Sequence, residues 1–218
     1  DGLIVFTAPP RIRLFNADGS EAELSGNGTR CAAAVVIADG GATDTVTIET
    51  LAGPKHLRLL ERQDNHFLFE MDMGRPNYAP EDVGCQLETS GGPRPVTILD
   101  VGNPQCAVLV DSLEFDWETL GREIEAHPRF PRRTNVSFVR VLDLHTVAAR
   151  FYERGAGATL SSGTGSTGAA VAALLSGKVQ SPVRVVTQAG DLDLDWREGR
   201  VFLRGPAQLT ARGAYLSL

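Results

Sequence analysis

The chain has 218 residues, of which 42% are apolar, 22% charged and 6% aromatic, with 23 Gly and 12 Pro. That balance excludes wholesale disorder, collagen and coiled coil, and supplies enough apolar surface for one large domain or two small ones. The longest aliphatic runs, Ala32 to Ala38 and Ala169 to Leu175, fall far short of the roughly 20 residues a membrane helix needs, and 21 basic against 27 acidic residues give a scattered net charge of −6 that suits a small solute better than nucleic acid or an anionic membrane.

Asp1 is not an initiator Met, and the chain enters what reads as a strand at once, so an earlier segment is expected. Short apolar or alternating runs follow at Leu3 to Thr7, Arg11 to Phe15, Thr45 to Glu49, His56 to Glu61, Phe67 to Met71, Pro95 to Val101 and Cys106 to Val110. They resume at Asn135 to Asp143, Thr146 to Glu153, Val183 to Thr187, Leu192 to Trp196, Arg200 to Arg204 and Gln208 to Leu216. Gly, Pro, Asn and Asp clusters bound most of these runs, which marks strands joined by turns. Three helices are expected. Thr29 to Ala38 and Ser166 to Ser176 are apolar almost all round and run out at Gly40 and Gly177, as buried helices with glycine caps do. Trp117 to Ala126 is amphipathic, with Asp116 as N-cap and a stop before His127-Pro128. The fold class is therefore α+β, mostly antiparallel. Cys31, Cys85 and Cys106 show no metal-ligand spacing and suit free thiols in a reducing cytoplasm, with no structural zinc.

A shift of 137 residues takes Ser25 to Ser162 and superposes Gly26 on Gly163, Gly28 on Gly165, Ala32 on Ala169, Ala33 on Ala170 and Gly40 on Gly177. Each half then reads as strand, turn, Ser-Gly-x-Gly, buried helix and glycine cap, the signature of a duplicated domain. A Ser-Gly-x-Gly helix start exposes unpaired NH groups at the positive end of the macrodipole, which draws a carboxylate. Taken singly, Ser25 and Ser162 are ordinary N-caps. Facing each other across a cleft, they become two proton carriers on opposite sides of one carbon, the need of a racemase or epimerase. The run Gly163 to Gly168 also fits G-x-G-x-x-G, but its twin at Gly26 lacks the third glycine and no βαβ series surrounds it, so a dinucleotide site is not expected.

Five ordered segments carry a family likeness: Phe15 through Glu23 into Ser25-Gly26-Asn27-Gly28-Thr29-Arg30-Cys31, then Gly102-Asn103-Pro104, Arg133-Thr134-Asn135-Val136, Tyr152-Glu153-Arg154-Gly155-Ala156-Gly157 and Ser162-Gly163-Thr164-Gly165. Together they resemble the diaminopimelate epimerase family, from the first residue to the last strand. The resemblance implies two pseudo-symmetric domains, each a mostly antiparallel sheet or barrel around a central helix, divided as 1–72 plus 206–218 and 73–205. It implies a cytoplasmic, cofactor-independent isomerase of lysine biosynthesis that interconverts LL- and meso-diaminopimelate by Cα deprotonation and reprotonation. The partner is then a small amino acid, with no nucleic acid or membrane, and a homodimer is left open. It also implies about 50 residues before Asp1, room for two or three strands.

Carried over by match, the substrate contacts fall on Asn16, Asn103, Asn135, Glu153 and Arg154, with the backbone of Gly26, Asn27, Gly163 and Thr164 around the substrate carboxylate. An ammonium calls for carboxylate or amide oxygens, and a carboxylate for a guanidinium or helix N-terminus. The departures are sharp. The two catalytic cysteines of the family fall on Ser25 and Ser162, and a supporting His falls on Gln105. A hydroxyl is far less acidic than a thiol and needs a strong neighbouring base, which Glu153 can supply to Ser162 and Gln105 cannot supply to Ser25. Cys31 and Cys106 are expected to be inert core thiols. Two alternatives stand beside the epimerase: an impaired homologue that binds an amino acid, and a racemase or dehydratase of the same fold with another substrate. A serine hydrolase is disfavoured, because His56, His66, His127 and His145 lie outside the motifs and no G-x-S-x-G is present.

Overall fold

Two Ala-rich helices, each continuing from a Ser-Gly-x-Gly start, organise the computed structural model, which describes residues 2–8 and 10–214. Helix α1 spans Gly26–Ala38 and helix α3 spans Gly163–Leu175, so both start three residues before the Ala-rich pattern that signalled them. Their starts are alike in detail. Ser25 and Ser162 are extended N-caps whose Oγ atoms accept from Gly28 N and Gly165 N at 3.0 Å each. Their ends match too. Gly40 and Gly177 take φ of 78° and 65°, and the NH groups of Gly41 and Lys178 reach back to Val36 O and Ala173 O, which is the Schellman closure that glycine permits. Helix α2, Trp117–Glu125, is capped by Asp116 accepting from Thr119 N at 3.2 Å and buries Leu120 and Ile124, one turn apart.

The strands are β1 (Gly2–Ala8), β2 (Arg11–Asn16), β3 (Glu21–Ala22), β4 (Thr45–Thr50), β5 (Gly53–Gln63), β6 (His66–Gly74), β7 (Cys85–Thr89), β8 (Gly92–Asp100) and β9 (Pro104–Leu109), followed by β10 (Asn135–Asp143), β11 (Thr146–Glu153), β12 (Gly157–Thr159), β13 (Val183–Thr187), β14 (Gly190–Arg197) and β15 (Arg200–Gln208). They form one sheet in the order β1-β2-β4-β5-β6-β15-β14-β13-β11-β10-β9-β8-β7, with β3 on β2 and β12 on β11. Most neighbours are antiparallel, while β2/β4, β9/β10 and β11/β13 run parallel. The expected boundaries at residues 72 and 206 lie within β6 and β15, two paired strands whose register joins Phe202 to Asp72 and Pro206 to Leu68.

Three strands were not foreseen: β3 and β12, of two and three residues, are too short to signal themselves, and β7 alternates over only five residues with a single buried side chain, Leu87. The run Gln208 to Leu216 is corrected. Gln208 closes β15, residues 209–214 lie in no strand, and the remainder lies outside the described residues.

The main core joins Ala32, Ala33, Ala34 and Ile37 of α1, residues 169–173 of α3, and the inward side chains of the surrounding strands, such as Ile48, Phe69, Val147 and Leu203. A second cluster, including Leu87, Cys106, Ile124 and Phe138, seats α2 on β7 to β10. Among the described residues no helix is long and apolar enough to cross a membrane.

Candidate active site

The N-termini of α1 and α3 meet head to head. A Cβ added to Gly26 would lie 2.8 Å from the Cα of Gly163, and one added to Gly163 would lie 2.8 Å from the Cα of Gly26. Only glycine lets two backbones approach so closely. The duplicated Ser-Gly-x-Gly segments thereby bring two helix N-termini, and the two cap serines, to one place.

A cavity of about 320 Å³ opens over this junction. Its lining includes Asn16, Ser25, Gly26, Asn27, Asn103, Asn135, Glu153, Arg154, Ser162, Gly163 and Thr164, so every residue expected at the site is gathered there. Asn16 ends β2, Asn103 lies between β8 and β9, Asn135 begins β10, and Glu153 ends β11. These are strand ends around two helix starts, where backbone donors and polar side chains converge.

Hydrogen bonds fix the polar groups. Ser162 Oγ donates to Glu153 Oε2 at 2.7 Å, and Thr159 Oγ1 donates to Glu153 Oε1 at 2.6 Å. Asn135 Oδ1 accepts from Arg154 N at 3.0 Å, and its Nδ2 donates to Pro104 O at 2.9 Å. Arg154 Nη1 donates to Arg132 O at 3.2 Å. Gln105 is completely buried, and its Nε2 donates to Asn103 Oδ1 at 2.7 Å, which leaves Asn103 Nδ2 to donate to Thr164 Oγ1 at 3.3 Å. Gln105 thus orients an amide; it is no base for Ser25. Apart from its cap bond to Gly28 N, the Ser25 hydroxyl has no side-chain partner among the described residues.

Two features escaped sequence reasoning. Glu23 lines the cavity and forms an ion pair with Arg154 across the two halves. Its only cue was a place inside the first motif, two residues before Ser25. Cys31 is a correction: it is exposed and lines the cavity instead of packing in the core. Its neighbours Arg30 and Ala32 are buried, while Cys31 lies on the part of α1 that lines the cavity with Ile4 and Leu14. Desolvation pushes its thiol up, with Arg30 opposing, so it stays protonated at neutral pH. Cys106, by contrast, is completely buried, and burial pushes its thiol up as well. Among the described residues no group of three His, Cys, Asp or Glu side chains is placed to hold a metal ion.

Burial raises the Glu153 carboxyl above its ordinary value, while the bonds from Thr159 and Ser162 pull it down. An acid with a raised native pKa binds more protons folded than unfolded, so it costs stability as pH rises through the unfolded value of about 4.3 towards the native one. Glu153→Gln is expected to remove that contribution. Urea midpoints measured from acid to neutral pH should fall less for this variant than for the parent, and parallel curves count against a raised Glu153.

The sequence comparison decides the family. The diaminopimelate epimerase family model matches residues 5–79 and 97–210. This chain belongs to the diaminopimelate epimerase family. The diaminopimelate epimerase of Pelotomaculum thermopropionicum is 39% identical over 232 residues, covering 99% of this chain and 83% of the relative. That of Desulfitobacterium hafniense is 38% identical over 233 residues, covering 99% and 82%. Two solved structures share the fold at low identity. A hydroxyproline epimerase from Agrobacterium vitis, with bound trans-4-hydroxy-L-proline, has a TM-score of 0.72 at 16% identity and covers 95% of this chain and 72% of its own. A probable proline racemase from Agrobacterium radiobacter has a TM-score of 0.75 at 14% identity, covering 99% and 76%. The family fold therefore extends through both helices and the sheet around them.

Proposed function

We propose that the chain is a diaminopimelate epimerase-like isomerase of lysine biosynthesis that inverts Cα without a cofactor, interconverting the LL and meso forms. The reading rests on one observation above all: two helix N-termini, each with a hydroxyl at its cap, abut in a single cavity. Backbone NH groups of Gly26, Asn27, Gly163 and Thr164 receive the carboxylate beside the reacting carbon. Asn16, Asn103, Asn135, Glu153 and Arg154 receive the remaining ammonium and carboxylate groups. Ser25 and Ser162 face the reacting carbon from opposite sides. The halves 1–72 plus 206–218 and 73–205 supply one serine each.

The chemistry is lopsided. Ser162 is already hydrogen-bonded to a carboxylate, so it can take the Cα proton while passing its own to Glu153. The electron pair left behind moves into the substrate carboxylate and returns to Cα as the Ser25 hydroxyl delivers its proton to the opposite face; the Ser25 alkoxide then regains a proton from water and Glu153 gives one up, which closes the cycle. The return direction requires Ser25 to act as base, with no basic side chain bonded to it among the described residues. That asymmetry favours a second reading, a homologue that binds the amino acid but turns it over poorly.

Incubating the protein with LL- and meso-diaminopimelate in deuterated water and following Cα exchange by NMR separates them. Exchange with saturable binding is expected for the epimerase. Binding without exchange sinks that reading in favour of the binding protein, and absence of binding points to another substrate of a racemase or dehydratase.

A further inference from the structure

Arg30 lies one turn past Gly26 in α1 and is only 3% exposed. A guanidinium taken out of water costs several kcal/mol unless it is paired. Among the described residues its acceptors are neutral: Nε donates to Pro206 O at 3.1 Å and Nη2 to Asn27 Oδ1 at 2.8 Å, while Nη1 has no partner. The fold makes room for this unpaired cation. A Cβ at Gly205 on β15 would meet Arg30 Cζ at 2.9 Å, so the guanidinium lies against a strand that is glycine where they touch.

Its bond to Asn27 has a directional consequence. With Oδ1 occupied by Arg30, the Asn27 amide must present Nδ2 outward, and that NH2 donates to Ser161 O at 3.3 Å, in the other half and next to Ser162. The chain Arg30, Asn27, Ser161 therefore ties the start of α1 to the segment carrying the second serine. We propose that Arg30 is a positioning residue and the buried countercharge of the carboxylate subsite: it orients Asn27 and adds a full positive charge to that of the two helix ends.

Desolvation brings the guanidinium down to about 10, which still leaves it charged at neutral pH. The site then holds positive charge that an arriving carboxylate compensates, and it stabilises the further negative charge that enters the carboxylate when the Cα proton leaves. The ligand class rests on the function proposed above, but the charge itself does not, because any simple carboxylate probes it.

Nitrogen-edited NMR titrations with acetate and, separately, with meso-diaminopimelate test the proposal on the parent chain, Arg30→Gln, Arg30→Lys, Asn27→Ala and the Asn27→Ala, Arg30→Gln double variant. Acetate is expected to shift the amides of Gly26, Asn27, Gly163 and Thr164 in the parent and to bind at least about tenfold more weakly to Arg30→Gln. Arg30→Lys keeps the charge but cannot span both acceptors, so it should fall between them. Removing Asn27 should make the loss from Arg30→Gln smaller than in the parent background, the mark of residues acting together. The proposal is overturned by parent-like acetate affinity in a folded Arg30→Gln, by a lowered melting temperature with unchanged Kd, by additive losses in the double variant, or by no acetate response in the parent. Should Arg30→Gln not fold, parent-like affinity in Arg30→Lys overturns the positioning role. An acetate response without diaminopimelate binding leaves Arg30 supported and removes the substrate reading alone.

Discussion

Alanine in place of Gly163 is expected to weaken diaminopimelate binding by more than about a hundredfold, with Gly26→Ala behaving alike. The added methyl carbon would sit 2.8 Å from the Cα of the facing glycine, and for Gly163 it would also lie 3.3 Å from Asn27 N. Backbone cannot swing away as a side-chain tip can, so the two helix ends must separate. Overpacking of this kind costs about 1–3 kcal/mol in stability. The greater loss falls on binding, because the NH groups of Gly26, Asn27, Gly163 and Thr164 then no longer converge on one carboxylate, and about 2.8 kcal/mol corresponds to a hundredfold in affinity. Gly28→Ala is the control. Its methyl would meet side-chain atoms only, the ends of Leu14 and Ile4 at 3.0 and 3.2 Å and Ser25 Oγ at 3.2 Å, which can yield where backbone cannot, so it controls for crowding in binding and not for exchange. Calorimetric titrations beside thermal melts separate the two effects. A folded Gly163→Ala variant that binds within threefold of the parent removes the head-to-head junction from the binding mechanism.

Much of this arrangement was legible in the residues, for physical reasons. The internal shift exposed two equal helix starts because capping uses short-range chemistry: a serine, glycines and an Ala-rich run. Gly40 and Gly177 marked the helix ends for the same reason, since φ of 78° and 65° suit glycine. That the two starts face each other could be posed from the sequence, but their backbone contact at Gly26 and Gly163 could not be derived from it. The contact depends on how β6 joins β15 and how each helix sits on its strands, a matter of pairing between distant segments. The roles of Glu23 and Cys31 were hidden likewise, because Glu23 meets Arg154 only through the fold and the exposure of Cys31 depends on which face of α1 its neighbours cover. Arg30 stood in the quoted motif, yet nothing local says that its guanidinium is buried without a carboxylate. Gln105 was read correctly as no base, but its work of orienting Asn103 required the 2.7 Å bond to be seen.

Thiols at the two cap positions are expected to raise Cα exchange by at least about a hundredfold, the lower range of what a well-matched acid and base contribute. A cysteine of ordinary pKa near 8.5 is drawn down at a helix N-terminus, whereas a serine hydroxyl stays protonated there. The helix ends are already in place, so Ser25→Cys with Ser162→Cys alters the proton carriers and little else. The single variants should not be equal. Ser162 donates to Glu153, and a thiolate at position 162 would face that carboxylate, whose charge opposes it. Among the described residues the Ser25 hydroxyl is bonded by Gly28 N alone, so a thiol there gains the helix end without a carboxylate bonded to it. Ser25→Cys should therefore recover more exchange than Ser162→Cys, and most clearly in the direction that asks position 25 to act as base. Initial rates from LL- and from meso-diaminopimelate, taken for both single variants and the double, measure this directly. Equal gains from the two single variants contradict the asymmetry drawn from Glu153. If the double variant binds diaminopimelate and still does not exchange, the fault lies beyond the two hydroxyls, and the buried amide of Gln105, which cannot supply a base, becomes the next position to change.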